Sequence, residues 1–183
     1  MFQELLKKVT GLLDQKRIQY MVSGSLALNV YCIPRMSMDI DFVIELNPAN
    51  AADFLEIFKS GYYLDEETVR QEIKKKGMFN VIDHQSGLKM DFIVRKDTEY
   101  RRLEFSRKIR KVLEDIPVWM VSPEDLIISK IEWIQQLQSD KQSLDIRMLL
   151  TTPGIDRGYI TFWCDKLNLK TFNFFEQDER YSI

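Results

Sequence analysis

Apolar residues at Phe2, Leu5, Leu6, Val9, Leu12 and Leu13 recur at three-to-four spacing, which predicts an amphipathic helix over about the first sixteen residues. A short apolar run, Tyr20 to Val22, reads as a strand that stops at Ser23-Gly24-Ser25. Leu26 to Tyr31 then resumes as a short helix, and Pro34 breaks it. From Asp39 to Leu46 the period changes to two. Ile40, Phe42 and Ile44 fall on one face of that strand, and Asp39, Asp41, Val43 and Glu45 on the other.

Asn47-Pro48 ends the strand, and helices are expected over Ala51 to Ser60 and Glu66 to Lys76. Met78 to Asp83 and Leu88 to Arg95 read as a hairpin joined by His84-Gln85-Ser86-Gly87. Phe105 to Leu113 is expected as an edge strand, and Ile116 to Val121 as a better-patterned one. Ser122-Pro123-Glu124-Asp125 starts a helix: Ser as N-cap, Pro at the first helical position, acids in the first turn. That helix should run to about Leu137, followed by helices around Leu144 to Leu150 and Ile155 to Leu167. Trp119, Trp133 and Trp163 fall within these patterns, as core residues do, and the tail Phe172, Phe174 and Phe175 supplies packing material.

The order implies an α/β (α+β) fold, with a small mixed sheet flanked by helices and a C-terminal helical part. The expected division is a core over 1–121 and a helical part over 122–183 packed on it as a single structural unit. No Gly-, Ser- or Pro-rich linker separates the two.

Charge narrows the function classes. With 26 Lys and Arg against 28 Asp and Glu, the chain lacks the bulk positive charge of a strongly cationic nucleic-acid binder. Cys32 and Cys164 form no CxxC and have one His, His84, to join them, so reduced thiols are expected. No apolar run approaches the length of about 20 residues that spans a bilayer, and the N-terminus lacks a signal-peptide core; the expectation is a cytoplasmic protein without membrane partners.

Against that background two aspartates stand out within the apolar run "DIDFVIEL". Residues i and i+2 of a strand point to the same side about 7 Å apart, so Asp39 and Asp41 can converge on one point, where they repel unless a cation lies between them. The later strand "LKMDFIV" carries Asp91. If it neighbours the first, three carboxylates meet on one face, an oxygen-only set suited to Mg²⁺ or Mn²⁺. Gly24-Ser25, between a strand and a helix, lets the backbone approach a ligand and directs N–H groups and a hydroxyl at phosphate oxygens. A Gly-Ser turn or an Asp-x-Asp alone is commonplace, the one as an ordinary turn and the other as a solvated strand face. Together, in strand-helix-strand order with a third Asp downstream, they point to a metal–triphosphate site.

Gly-Ser, thirteen residues from Leu26 to Met38, Asp-x-Asp and a later strand Asp resemble the DNA polymerase β-like nucleotidyltransferases. The interval, with Arg35 and Ser37 just ahead of "DIDF", is similar to the AbiEii/AbiGii-like branch. So is "VSPEDLIISKIEWI" followed by "LDIRMLL", and the likeness covers Tyr20 to Leu150. The resemblance implies transfer of a nucleoside monophosphate from an NTP to an acceptor hydroxyl. The acceptor would be RNA (a tRNA among them), protein or a small molecule, and the chain would be the toxin-like member of a defence or toxin–antitoxin pair with a cognate antitoxin or regulator. Asp39 and Asp41 would bridge the metal ions, and Asp91 would ligate the acceptor-side ion and assist deprotonation. Lys130 is either a snorkelling surface lysine or a phosphate ligand, and the family pattern favours the ligand. Asp145 is a further site candidate whose plainer reading is a helix-start or salt-bridge residue. Arg35 and Ser37 would contact phosphate or brace the loop.

The basic runs "RQEIKKK" and "YRRLEFSRKIRK" form either an RNA-facing rim or, more commonly, a solvated face. His84 reads as a turn residue and not as a general base. The competing function is a nucleotide-binding or regulatory module that keeps the fold without catalysis. Against it, a non-catalytic descendant has no physical reason to retain three acids that it must desolvate.

Overall fold

The structure is a computed structural model that describes residues 2–34, 36, 39–137 and 139–175. Two compact units divide the chain, with boundaries at Ala27/Leu28, Pro34/Arg35 and Val121/Ser122.

The first unit is built on a seven-stranded mixed sheet. Its strands are β1 (Tyr20–Val22), β2 (Asp39–Ile44), β3 (Tyr62–Tyr63), β4 (Met78–Asp83), β5 (Lys89–Val94), β6 (Ile109–Leu113) and β7 (Ile116–Met120), in the order β3-β4-β5-β2-β1-β7-β6. The β2–β5 and β1–β7 pairs are parallel, whereas β1–β2, β3–β4, β4–β5 and β6–β7 are antiparallel. Alternation decides which face is buried. Ile40, Phe42, Ile44, Met90, Phe92 and Val94 are all fully buried on one side of β2 and β5.

Phe92 is the hub of that face. Its ring stacks on Phe42 at 5.0 Å and on Phe79 at 5.6 Å, and meets Phe54 and Phe58 edge-on at 5.1 and 5.6 Å. Phe54 and Phe58 come from α3 (Ala51–Ile57) and the residue that caps it, on the helical layer with α1 (Phe2–Gln15) and α4 (Glu66–Lys75). The N-terminal helix buries Leu5, Leu6, Val9 and Leu13, as its spacing predicts.

Between β1 and β2 runs α2 (Gly24–Tyr31), which starts two residues earlier than the periodicity suggests. Phe105 to Leu113 is not one strand. Thr98 Oγ1 accepts the N–H of Arg101 at 3.3 Å and starts α5 (Glu99–Ser106), so the helix consumes Phe105 before β6 begins at Ile109. β3, of two residues, carries no usable period in the sequence.

The second unit contains α6 (Pro123–Ile134), α7 (Asp140–Leu150) and α8 (Arg157–Lys166). Ser122 caps α6 as expected: its Oγ accepts the N–H of Asp125 at 3.1 Å and donates to Asp125 Oδ2 at 2.7 Å. The other carboxylate oxygen of Asp125 accepts the hydroxyl of Tyr159 at 2.8 Å, which ties α8 to the start of α6. Ile127, Ile131, Ile146, Leu149, Ile160 and Cys164 form the core. α7 begins four residues before Leu144, and α6 ends at Ile134 rather than Leu137. Trp163 is a core residue, but Trp133 is 55% exposed, contrary to its patterned position. Cys32 and Cys164 are both free thiols.

Candidate active site

The polar face of β2 and β5 is a two-by-two array. In the parallel register Asp39 pairs with Lys89 and Asp41 with Asp91, so all four side chains leave the sheet on the same side. Neighbouring strands lie about 4.8 Å apart, which brings Asp41 and Asp91 closer through the sheet than Asp39 and Asp41 are along the strand. Asn80 on β4 is the register partner of Asp91 on its far side.

Gly24, the first residue of α2, closes the array beside Asp41. Its φ is +60°, and a Cβ built there would stand 1.8 Å from Asp41 Oδ2. A side chain at this position is therefore excluded twice, by backbone conformation and by the carboxylate packed against it. Ser23 N–H donates to the Asp41 carbonyl at 2.9 Å, which fixes the turn against β2. Ser25 sits half-buried in the first turn of α2.

Lys89 is the residue that sequence inspection passed over. Its Nζ lies 2.8 Å from Asp91 Oδ2 and 3.9 Å from Asp39 Oδ1. The hydrogen bond to Asp91 holds the ammonium above the ordinary lysine pKa; burial opposes this, and the charges of Asp91, Asp39 and Asp41 reinforce it. The signal was available, because the i, i+2 rule that joins Asp39 to Asp41 also joins Lys89 to Asp91. Asn80 had no such signal, since its partnership with Asp91 is a matter of register alone.

Among the described residues no three His, Cys, Asp or Glu side chains have converged to ion-ligating distance. The carboxylates face an ammonium instead. That stand-in cation, with oxygen-only donors around it and the Asp41 carboxylate packed against the Gly24 backbone, fits a hard divalent ion.

Lys130 and Asp145 lie in the second unit. Lys130 Nζ donates to Asp145 Oδ2 at 2.8 Å and to Gln142 Oε1 at 2.9 Å, and both charged residues are almost fully buried. Arg35 and Ser37 lie outside the described residues. The run "YRRLEFSRKIRK" is engaged with its own fold: Arg101 pairs with the buried Glu104 at 2.7 Å, Lys108 lies 4.2 Å over the Phe105 ring, and Arg110 lies 5.1 Å over Trp119. His84 occupies the β4–β5 turn, as read.

The sheet and its flanking helices have a nucleotidyltransferase-like fold. The crystal structure of ANT(2")-Ia in complex with adenylyl-2"-tobramycin matches with a TM-score of 0.63 at 15% identity, over 92% of this chain and 98% of that one. The lincomycin-bound lincosamide antibiotic adenylyltransferase LnuA matches with a TM-score of 0.54 at 11% identity, over 82% and 97%. At such identities the likeness is one of fold. The sequence also matches the family model of the nucleotidyl transferase AbiEii toxin, type IV toxin–antitoxin system, over residues 12–170. The chain belongs to that family. No curated protein matches the sequence. Among the described residues no helix is long and apolar enough to cross a membrane.

Proposed function

We propose that this nucleotidyltransferase moves a nucleoside monophosphate from an NTP to an acceptor hydroxyl, with Asp39, Asp41 and Asp91 holding Mg²⁺ or Mn²⁺. The observation that carries the reading is the register of β2 on β5, which sets Asp41 beside Asp91 with Asp39 on the same face. When bound, divalent ions supply a lowered pKa at the acceptor hydroxyl and neutralise charge on the leaving pyrophosphate.

The chain's own residues do the remaining work. Gly24, having no Cβ, lets the backbone pack against Asp41, and the N–H groups at the start of α2, with the Ser25 hydroxyl, would bind phosphate oxygens. Asp91 would receive the proton of the acceptor hydroxyl at its carboxylate. The family pattern supports Lys130 as a phosphate ligand; its buried ammonium is held by Asp145 and Gln142, and Asp145 has the salt-bridge position of its plainer reading. Arg35 and Ser37 would contact phosphate or brace the loop, as the motif implies.

Membership of a toxin family supports an acceptor in the host, RNA (a tRNA among them) or protein, and a cognate antitoxin as partner. The ANT(2")-Ia structure, with its adenylyl-2"-tobramycin, makes a small-molecule hydroxyl the remaining option. Incubation with each α-labelled NTP, Mg²⁺ and either total RNA, protein or aminoglycoside separates these outcomes by where the label goes. Label that stays in NTP under every condition sinks the transferase reading in favour of the non-catalytic module.

A further inference from the structure

Lys89 raises a question that the proposed chemistry does not answer. A lysine two residues from an aspartate on a solvent-facing strand is ordinarily a surface ion pair of little consequence. This one differs in three respects. It faces a group of carboxylates rather than one, being the register partner of Asp39 and the i−2 neighbour of Asp91. The carboxylate it grips is well covered, at 14% side-chain exposure, while the lysine itself is 40% exposed. Its ammonium thus reaches into the site from a stem that retains room to move. Moreover, its contact atom at 2.8 Å, Asp91 Oδ2, belongs to a carboxylate assigned above to an ion, and an ammonium and a divalent ion held on one carboxylate repel each other.

We propose that Lys89 is a positioning residue whose ammonium takes the cation's place at Asp91 and Asp39 in the metal-free protein, and must leave Asp91 before a divalent ion binds. This rests on the metal-site reading given above. The arrangement has two consequences. The carboxylates keep a counter-ion when no metal is present, so the site does not pull its own strands apart through like-charge repulsion. Metal alone must also compete with a tethered cation, so loading is weak until another anion gives the displaced ammonium somewhere to go. The triphosphate of the nucleotide is such an anion, and its arrival favours metal entry.

The test is Mn²⁺ binding to the full chain by electron paramagnetic resonance, without nucleotide, for the wild type, Lys89→Met and Lys89→Arg. Methionine keeps the length of the stem and removes the charge. Lys89→Met should bind Mn²⁺ at least about tenfold more tightly than the wild type, and Lys89→Arg should stay near it. The melting temperature of Lys89→Met in EDTA should fall and should recover on addition of Mn²⁺. Equal or weaker binding by Lys89→Met, with the wild type binding, overturns the inference and leaves the metal reading standing. Absence of Mn²⁺ binding in both proteins overturns the metal reading itself, and the inference with it. Should Lys89→Met not fold, the side-chain resonances of Lys89 in the wild type decide the matter. They should shift on titration with Mg²⁺, and resonances that stay in place overturn the proposal.

Discussion

Asp41 and Asp91 are register partners on adjacent parallel strands, and their carboxylates leave the sheet side by side although fifty residues separate them in sequence. Asp39 is displaced from this pair by one strand repeat and is matched across the sheet by Lys89. The chemistry proposed for the site follows from that array.

Asp91 is expected to be dispensable for folding and indispensable for transfer. Asp91→Asn keeps the size and hydrogen-bonding reach of the side chain while removing the charge that a proton acceptor needs. Transfer should fall by about 10²–10⁴-fold, the usual range for loss of a positioned general base. Far-UV circular dichroism should be unchanged. Transfer within a factor of a few of the wild type would remove Asp91 from the chemistry.

Gly24→Ala tests the approach of backbone to carboxylate. The added Cβ meets Asp41 Oδ2 at 1.8 Å, and φ at +60° is unfavourable for alanine. The left-handed conformation alone costs about 1–2 kcal/mol, visible as a lower melting temperature. Displacing Asp41 by an ångström should reduce transfer by about 100-fold. If activity survives with the melting point lowered, Gly24 matters only to the turn.

The Lys130–Asp145 pair should be worth more when broken than when replaced. Asp145→Ala takes from an ammonium that is 6% exposed the carboxylate it donates to at 2.8 Å, and should cost about 3–5 kcal/mol in urea unfolding. The double variant Lys130→Met/Asp145→Leu should recover most of that loss, because an apolar pair of similar volume carries no desolvation penalty. The same variants separate structure from chemistry: a folded double variant with a raised KM for NTP supports the phosphate role of Lys130.

The two thiols should react differently. Burial pushes Cys164 from an ordinary value of 9.0 up to about 11; burial also raises Cys32, but that thiol is only half-buried and its contact with Thr152 Oγ1 at 3.8 Å opposes the rise. Native protein at pH 8 should therefore titrate slowly with a disulfide reagent at Cys32 alone, and at both thiols in urea. The sign of the pH effect follows by linkage. The unfolded chain loses the Cys164 proton first, so this contribution to stability is complete below pH 9 and declines as pH rises towards 11. Cys164→Ala should flatten that decline in a series of urea unfolding curves.

Local pattern was enough where one period dominates. The alternation in Asp39 to Leu46 correctly assigned Ile40, Phe42 and Ile44 to the buried face and both aspartates to the other. Ser122 announced α6 because its capping groups all lie within four residues. Pattern failed at Phe105, which a helix capped by Thr98 claims before the strand begins, and at Tyr62–Tyr63, whose strand exists only because β4 offers an edge.

The sequence by itself determined the order of the elements, the acidic face of β2 and the Gly-Ser turn ahead of it, since each depends on interactions spanning a few residues. Only the tertiary structure decided that β5 lies against β2 in parallel, with Asp91 opposite Asp41 and Lys89 opposite Asp39. Strand neighbours are chosen by the packing of Phe42 on Phe92 and of Phe92 on Phe54, Phe58 and Phe79, a choice that no single stretch of chain contains. For the same reason Lys89, unremarkable in "LKMDFIV", became part of the site only when the sheet had formed.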